Sequence, residues 1–302
     1  MPVLSFMFMV NSLNLTILRN RSQALIFGLF EIAHTIISIG VTVLLLIMFT
    51  YGWYSRAIGI TVAYSLFFII SLLYLRDKKY LSLNIDNAQI KSILILSIPL
   101  IPHALGNIVI TMSDRLFIEK MINLEMVGIY SVGYMFGMVV MLFTDAFLKA
   151  WSPWFYKNLT KATALTKRKI VKYSYLYIIG VFILAIIISA VAEVILPYIV
   201  NNKFHDAKQF ILWIALGYAV QGIYKIFFPY LVHINKTSFL AFSTVIAALI
   251  NLIFNYLLIS FFGAIGAAYA TILAFSVSSL LVFWYQKNRI AMPWALNTLR
   301  DT

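Results

Sequence analysis

The stretch SIPLIPHALGNIVITMSDRLFIEKM, Ser97 to Met121, is apolar enough to cross a bilayer, yet it carries two prolines, a histidine, an asparagine and a run of charges. Lipid cannot hydrogen-bond a freed carbonyl or solvate a charge. Such residues therefore belong where neighbouring helices or water satisfy them. The rest of the chain sets the same context. Of its 302 residues 63% are hydrophobic and 11% charged, with a mean hydropathy of +0.94, against about 25% charged in soluble domains. This predicts an all-α, polytopic transmembrane bundle. Cysteine is absent, which removes disulfides and thiolate metal sites from consideration.

Nine stretches approach the roughly 20 apolar residues a span requires: about 1–18, 23–49, 57–75, 92–113, 126–148, 171–197, 208–231, 237–261 and 264–285. The net charge of +13 is distributed over short loops rather than gathered on one solvated face, so it reads as topology and no nucleic acid is expected. Placing alternate loops on opposite sides leaves only Arg56, Arg115, Lys120, Lys203 and Lys208 on one side, out of 23 Lys and Arg. The other side, which includes Lys161 and Arg300, is then cytoplasmic, as is the C-terminus. Ala57-Ile58-Gly59 and Ala264-Ile265-Gly266 sit at matching places in the helix order, six helices apart. That pattern predicts parallel six-helix repeats: 1–75 as about three helices of a first lobe whose leading helices are missing, 76–91 as a cytoplasmic link, 92–290 as a complete second lobe, and 291–302 as a cytoplasmic tail. The segment KAWSPWFYKNLTKATALTKRK from Lys149 reads as a sizeable cytoplasmic loop with its aromatic residues at headgroup level.

PLIPHALGNIVITMSDRLFI, then LEMVGIYSVGYMF, then KAWSPWFYKNL, resemble the second half of the polysaccharide-biosynthesis flippases. These are the O-antigen, or Wzx-type, members of the superfamily that also holds multidrug exporters and the peptidoglycan lipid flippase. The resemblance implies a two-lobed flippase fold with an incomplete first lobe, in a bacterial cytoplasmic (inner) membrane. It implies movement of an undecaprenyl-pyrophosphate-linked oligosaccharide between leaflets by alternating access, for O-antigen lipopolysaccharide or capsule, alongside other polysaccharide assembly proteins. No cofactor is expected, and coupling to a proton or sodium gradient is. Alternative readings are a drug/cation antiporter of the same superfamily and an integral-membrane polymerase or glycosyltransferase. The last is disfavoured because the chain has neither a large outer loop nor a Gly-rich phosphate loop nor metal-ligand spacing.

A pyrophosphate-linked sugar calls for cations and hydrogen-bonding groups inside the membrane. His103, Asn107, Thr111 and Asp114 follow at spacings that form one helical stripe, with His103 roughly 18 Å from Lys91 along the axis and Asp114 nearer the outer surface. The pair Asp114-Arg115 belongs to the pattern that carries the resemblance. The bland alternative is a bent helix with interfacial charges. Gln221 and Lys225, one turn apart, are candidates for the pyrophosphate, although Lys225 could equally snorkel to the cytoplasmic surface. Asn251 and Asn255 are sugar contacts or interhelical glue. Glu31 and His34 could share a proton or hold a cation, or could simply bond two helices together. Asp145 joins these coupling candidates, with an i, i+4 bridge to Lys149 as its plainer role.

Overall fold

A computed structural model describes residues 2–21, 23–49, 52–81, 86–160 and 163–295. Lys161 and Arg300 lie outside the described residues. Among the described residues there is no strand, and nine helical segments are long and apolar enough to span a membrane. The protein is a multi-pass membrane protein. By backbone proximity it divides into two compact units, Met1–Asn87 and Ala88–Thr302.

The first unit contains α1 (Pro2–Asn20), α2 (Ala24–Phe49) and α3 (Trp53–Asp77). The buried residues of α3 are Ser55, Gly59, Ala63, Phe67, Ser71 and Leu75, one every fourth position and half of them Gly, Ala or Ser before the first bulky ring. Oil gives no hydrophobic drive between helices, so a ridge of small residues that lets backbones approach is what holds them. A Cβ on Gly59 would run into Ser38 and Thr42 of α2. Asn11 and Asn14 of α1 meet Ser71 instead: Ser71 Oγ donates to Asn11 Oδ1 at 2.6 Å, and Asn14 Nδ2 donates to Ser71 Oγ at 3.1 Å. The side of α2 turned away from these contacts carries exposed Leu, Ile and Val, as a lipid-facing surface should.

The second unit runs α4 (Asn87–Ser97), α5 (Leu100–Met121), α6 (Leu124–Gly137), α7 (Val139–Thr160), α8 (Ala164–Ile199), a short 3-10 turn (Asn202–Ala207), α9 (Lys208–His233), α10 (Thr237–Phe262) and α11 (Ile265–Lys287). α4 with α5, and α6 with α7, each make one broken span. The break between α4 and α5 falls at Pro99, the N-cap of α5. Pro102 sits in the first turn of α5, where a helix leaves backbone donors without an internal partner anyway. The two prolines therefore redirect the span without orphaning its interior.

α9 is the axis of this unit. It packs against α6, α7, α8, α10 and α11 and is buried around most of its circumference, from Phe210 to Leu231. The α10–α11 hairpin repeats the close approach seen between α2 and α3. Gly266, the counterpart of Gly59 in the two tripeptides, lies where an added Cβ would come within 2.6 Å of Ile259 N and nearer still to the Leu258 carbonyl. Replacing Gly266 by leucine should force the hairpin apart at a cost of about 1–3 kcal/mol. The expected readout is a lower unfolding temperature in detergent, with Ala264→Leu, at the N-cap of α11 two residues earlier, the weaker of the two.

The KAWSPWFYKNL segment is helical rather than a loop. α7 continues to Thr160 and α8 starts at Ala164, with Thr163 Oγ1 capping the Thr166 amide at 3.2 Å. Hydropathy marks where lipid ends, whereas the helix continues because Trp151, Phe155 and Leu159 form a buried stripe at four-residue spacing. The spans also exceed their apolar cores elsewhere: 92–113 becomes Asn87–Met121, and 171–197 becomes Ala164–Ile199.

Candidate functional site

Three polar clusters occupy the second unit. The first is centred on Asp114 of α5, which is 0% exposed. Tyr130 Oη of α6 donates to Asp114 Oδ2 at 2.7 Å, and Asn255 Nδ2 of α10 donates to Oδ1 at 3.1 Å. Thr271 Oγ1 of α11 lies 3.1 Å and 3.2 Å from the two carboxylate oxygens. Around this core, Ser113 Oγ donates to Asn251 Oδ1 at 2.7 Å, and Asn251 Nδ2 reaches Thr271 Oγ1 at 3.3 Å. Four helices thus meet on one carboxylate. Its donors are neutral, and the adjacent hollow lined by Tyr134, Tyr218 and Ala268 leaves no volume for a water.

Arg115, next in sequence, turns elsewhere. Its Nε donates to Ser131 Oγ at 3.2 Å and a terminal nitrogen to the Thr111 carbonyl at 3.0 Å, while the guanidinium sits 4.4 Å from the centre of the Tyr134 ring. That arrangement combines hydrogen bonding with cation–π attraction. Tyr218 Oη donates to Tyr134 Oη at 2.7 Å and extends the ring system towards α9.

The second cluster surrounds His103, near the N-terminus of α5. Its Nδ1 is 2.7 Å from Thr244 Oγ1 and 3.3 Å from Tyr224 Oη, and its Nε2 is 3.3 Å from Asn107 Nδ2. Thr244 Oγ1 donates to the Leu240 carbonyl at 2.9 Å, so its oxygen is free to accept. This pattern assigns the proton to Nδ1 and leaves Nε2 as acceptor for Asn107. The ring is flanked by Tyr224 and Phe228, each 5.7 Å away between centroids. His103 and Asn107 are both half-buried.

The third cluster is the Lys225–Asp145 ion pair. Lys225 Nζ on α9 reaches Asp145 Oδ1 on α7 at 2.5 Å and Thr144 Oγ1 at 3.2 Å. The Lys225 side chain is 16% exposed and that of Asp145 46%. The ammonium is held against α7 within the span rather than snorkelling along its own helix. One turn earlier on α9, Gln221 is buried with its Oε1 lacking a hydrogen-bond partner.

In the first unit, Glu31 and His34 lie a turn apart on α2, both half-buried. The His34 ring packs 4.6 Å from Tyr64 and 5.4 Å from Phe67 between centroids, with a buried Nε2 that has no hydrogen-bond partner. Among the described residues no group of three or more His, Asp and Glu could hold a metal ion.

Of the residues singled out by spacing, the structure therefore joins Asp114 to Asn255 directly and to Asn251 through Asn255 and Thr271, His103 to Asn107, and Asp145 to Lys225. Tyr130, Thr271, Tyr224 and Thr244 complete these clusters and carry no sequence signal, because each is one of many tyrosines or threonines at helical positions.

An all-α, multi-spanning bundle with an ion pair and buried polar clusters between its helices defines a polytopic membrane fold. Comparison with solved structures agrees on the fold. A point mutant of the Vibrio cholerae MATE transporter VcmN superposes with a TM-score of 0.76 at 12% identity, over 95% of this chain and 65% of that one. Another MATE structure, in the straight conformation, gives 0.67 at 14% identity, over 97% of this chain and 67% of that one. The family described as polysaccharide biosynthesis protein matches residues 1–159. The chain belongs to that family.

Among curated relatives, a Haloferax volcanii protein named "Probable low-salt glycan biosynthesis flippase" is 27% identical over 172 residues, covering 56% of this chain and 36% of that protein. An "Uncharacterized membrane protein" of Haemophilus influenzae is 24% identical over 257 residues, covering 83% of this chain and 63% of the relative. The matched part is thus less than two thirds of the length of either relative.

Proposed function

We propose that the protein moves a pyrophosphate-linked oligosaccharide on an undecaprenyl carrier from the inner to the outer leaflet of a bacterial cytoplasmic membrane, for O-antigen or capsule assembly, with its C-terminus in the cytoplasm. The observation that carries this reading is the Lys225–Asp145 pair. A charge inside a span costs at least about 2.5 kcal/mol. Here a mostly covered ammonium is paired with a carboxylate that is nearly half exposed. Such a cation can exchange its carboxylate partner for a phosphate oxygen without being left bare, because the released Asp145 already has access to polar surroundings. A pyrophosphate is the anionic part of the proposed cargo, and Gln221 offers a neutral hydrogen-bonding group one turn away.

His103 and Asn107, half-buried and hydrogen-bonded only to neutral groups, suit hydroxyl-rich sugar. Asp114 with Asn251 and Asn255 serves a different purpose in this reading: it ties α5, α6, α10 and α11 into one rigid body able to rock as a unit. Glu31 and His34 are the candidates for coupling to a proton or sodium gradient. The buried, unpartnered Nε2 of His34 supports that choice.

Deleting the gene should strand lipid-linked repeat units in the inner leaflet, where a membrane-impermeant sugar-oxidising reagent applied to intact spheroplasts cannot reach them. Restoring the gene should make them reactive. Unchanged labelling of the outer leaflet in the deletion, accompanied by greater sensitivity to cationic dyes, would instead assign the protein to drug export.

A further inference from the structure

Away from the clusters described above, α8 and α11 flank α9 on the outside of the second unit and leave a cleft between them. Its floor is Val220, Ile223 and Phe227 of α9, and its volume is about 370 Å³, within the range of pockets that hold small ligands. One wall is Tyr175, Ile178 and Phe182 of α8, and the other is Ser276, Ser279, Leu280 and Phe283 of α11. The lining is almost wholly apolar, which suits a hydrocarbon chain and no polar solute.

The two walls continue into cations at the same end. On α8 the face that carries Tyr175 also carries Lys172, three residues earlier, and Arg168, seven earlier. On α11 the face of Phe283 continues to Lys287, four residues later. α8 begins and α11 ends at the side where Lys and Arg accumulate, so helical spacing puts all three cations beyond the Tyr175 and Phe283 end of the cleft, toward the cytoplasmic side. The chain after α11 folds back over this end. Tyr175 Oη donates to the Trp294 carbonyl at 2.8 Å, Lys167 Nζ to the Ala291 carbonyl at 3.0 Å, and the Trp294 ring joins the cleft lining. Indole and phenol groups at such a level mark the boundary between hydrocarbon and headgroups.

We infer that this cleft is a binding site for an anionic phospholipid of the cytoplasmic leaflet, with one acyl chain lying between α8 and α11 and its phosphate held by Arg168, Lys172 and Lys287. An apolar cleft alone would accept any acyl chain. The ring of cations at one end supplies the selection, since each Lys or Arg near the membrane surface favours anionic over zwitterionic lipid. The site is separate from the proposed transport groups, so it stands whether or not those carry a pyrophosphate.

The test is titration of the detergent-purified full-length protein with phosphatidylglycerol and with phosphatidylcholine, followed by native mass spectrometry. Phosphatidylglycerol should bind the unaltered protein at least tenfold more tightly. The triple change Arg168→Gln, Lys172→Gln and Lys287→Gln should remove that preference while leaving weak binding of both lipids. Ser276→Phe, at a half-buried wall position, should weaken both by filling the cleft. Equal affinity of the unaltered protein for the two lipids, or an undiminished preference in the triple variant, would overturn the site. The chain has no cysteine, so Leu280→Cys, 66% exposed in the native residue, offers an independent probe. Disulfide-linked dimers through that position in native membranes would give the cleft to a second copy of the protein, and would equally overturn it.

Discussion

Replacing Lys225 by methionine is expected to slow transport roughly ten- to a hundredfold while leaving the amount of folded protein in the membrane nearly unchanged. A hydrogen bond to a charged group contributes about 1.5–3 kcal/mol, and each 1.36 kcal/mol is a factor of ten in rate. Methionine keeps most of the length and flexibility that pack against α7 and lacks the charged donor. The partner left behind, Asp145, is 46% exposed, so it is not sealed in oil as an unpaired ion. Lys225→Arg should keep much of the activity, because a guanidinium binds both carboxylate and phosphate. Asp145→Asn tests the exchange idea from the other side, since it removes the competitor and should tighten substrate binding while slowing release. The check is the rate of outward movement of lipid-linked sugar at matched protein levels. A methionine variant with native rates would mean that Lys225 only braces α7 against α9.

Asp114→Ala is expected to act differently, on stability before transport. The carboxylate is wholly buried and accepts from Tyr130, Asn255 and Thr271. Alanine would strand those donors where neither lipid nor water replaces the acceptor, at about 1–3 kcal/mol per unsatisfied buried group. Hence α5, α6, α10 and α11 should loosen together. The midpoint of thermal unfolding in detergent should fall on the order of 5–10 °C, and accumulation in the membrane should drop. Asp114→Asn, which keeps one carbonyl acceptor in place, should lose roughly half as much. If Asp114→Ala left unfolding unchanged and abolished transport, the carboxylate would belong to the moving cargo or ion rather than to the scaffold.

The contrast between these two residues shows what linear sequence carries and what it does not. Hydropathy located all nine spans found among the described residues, because lipid imposes length and apolarity on each helix separately. Spacing along one helix also placed His103 with Asn107, and Asn251 near Asn255, since i, i+4 neighbours are fixed by helical geometry alone. Pairings between helices were not legible. Asp145 has Lys149 four residues away and still faces Lys225 on α9, because the partner is set by which faces α7 and α9 turn to each other. Nor did spacing separate Asp114, locked in a dry knot, from Lys225, poised beside a half-open carboxylate. Both are simply charges within apolar runs.

The buried position of α9 is written in its composition. α9 carries Gly217, Gln221, Gly222 and Lys225 and has lower hydropathy than most other spans. A span that is small and polar as well as aromatic is surrounded by protein, whereas the Leu- and Ile-rich α2 faces lipid. Helix ends were the reverse case. The aromatic, basic KAWSPWFYKNL segment has the composition of a loop at headgroup level, yet its buried stripe of Trp151, Phe155 and Leu159, four residues apart, keeps it helical.

The most direct measurement is leaflet exchange by the purified full-length protein in proteoliposomes, with an undecaprenyl-pyrophosphate oligosaccharide placed in both leaflets and an impermeant lectin reading the outer one. Vesicles with the unaltered protein should bring inner-leaflet sugar within reach of the lectin over time, and vesicles with Lys225→Met should do so at least tenfold more slowly. Equal rates in protein-containing and empty vesicles, or the appearance of joined repeat units with no change in sidedness, would contradict a flippase that works through a pyrophosphate held at Lys225.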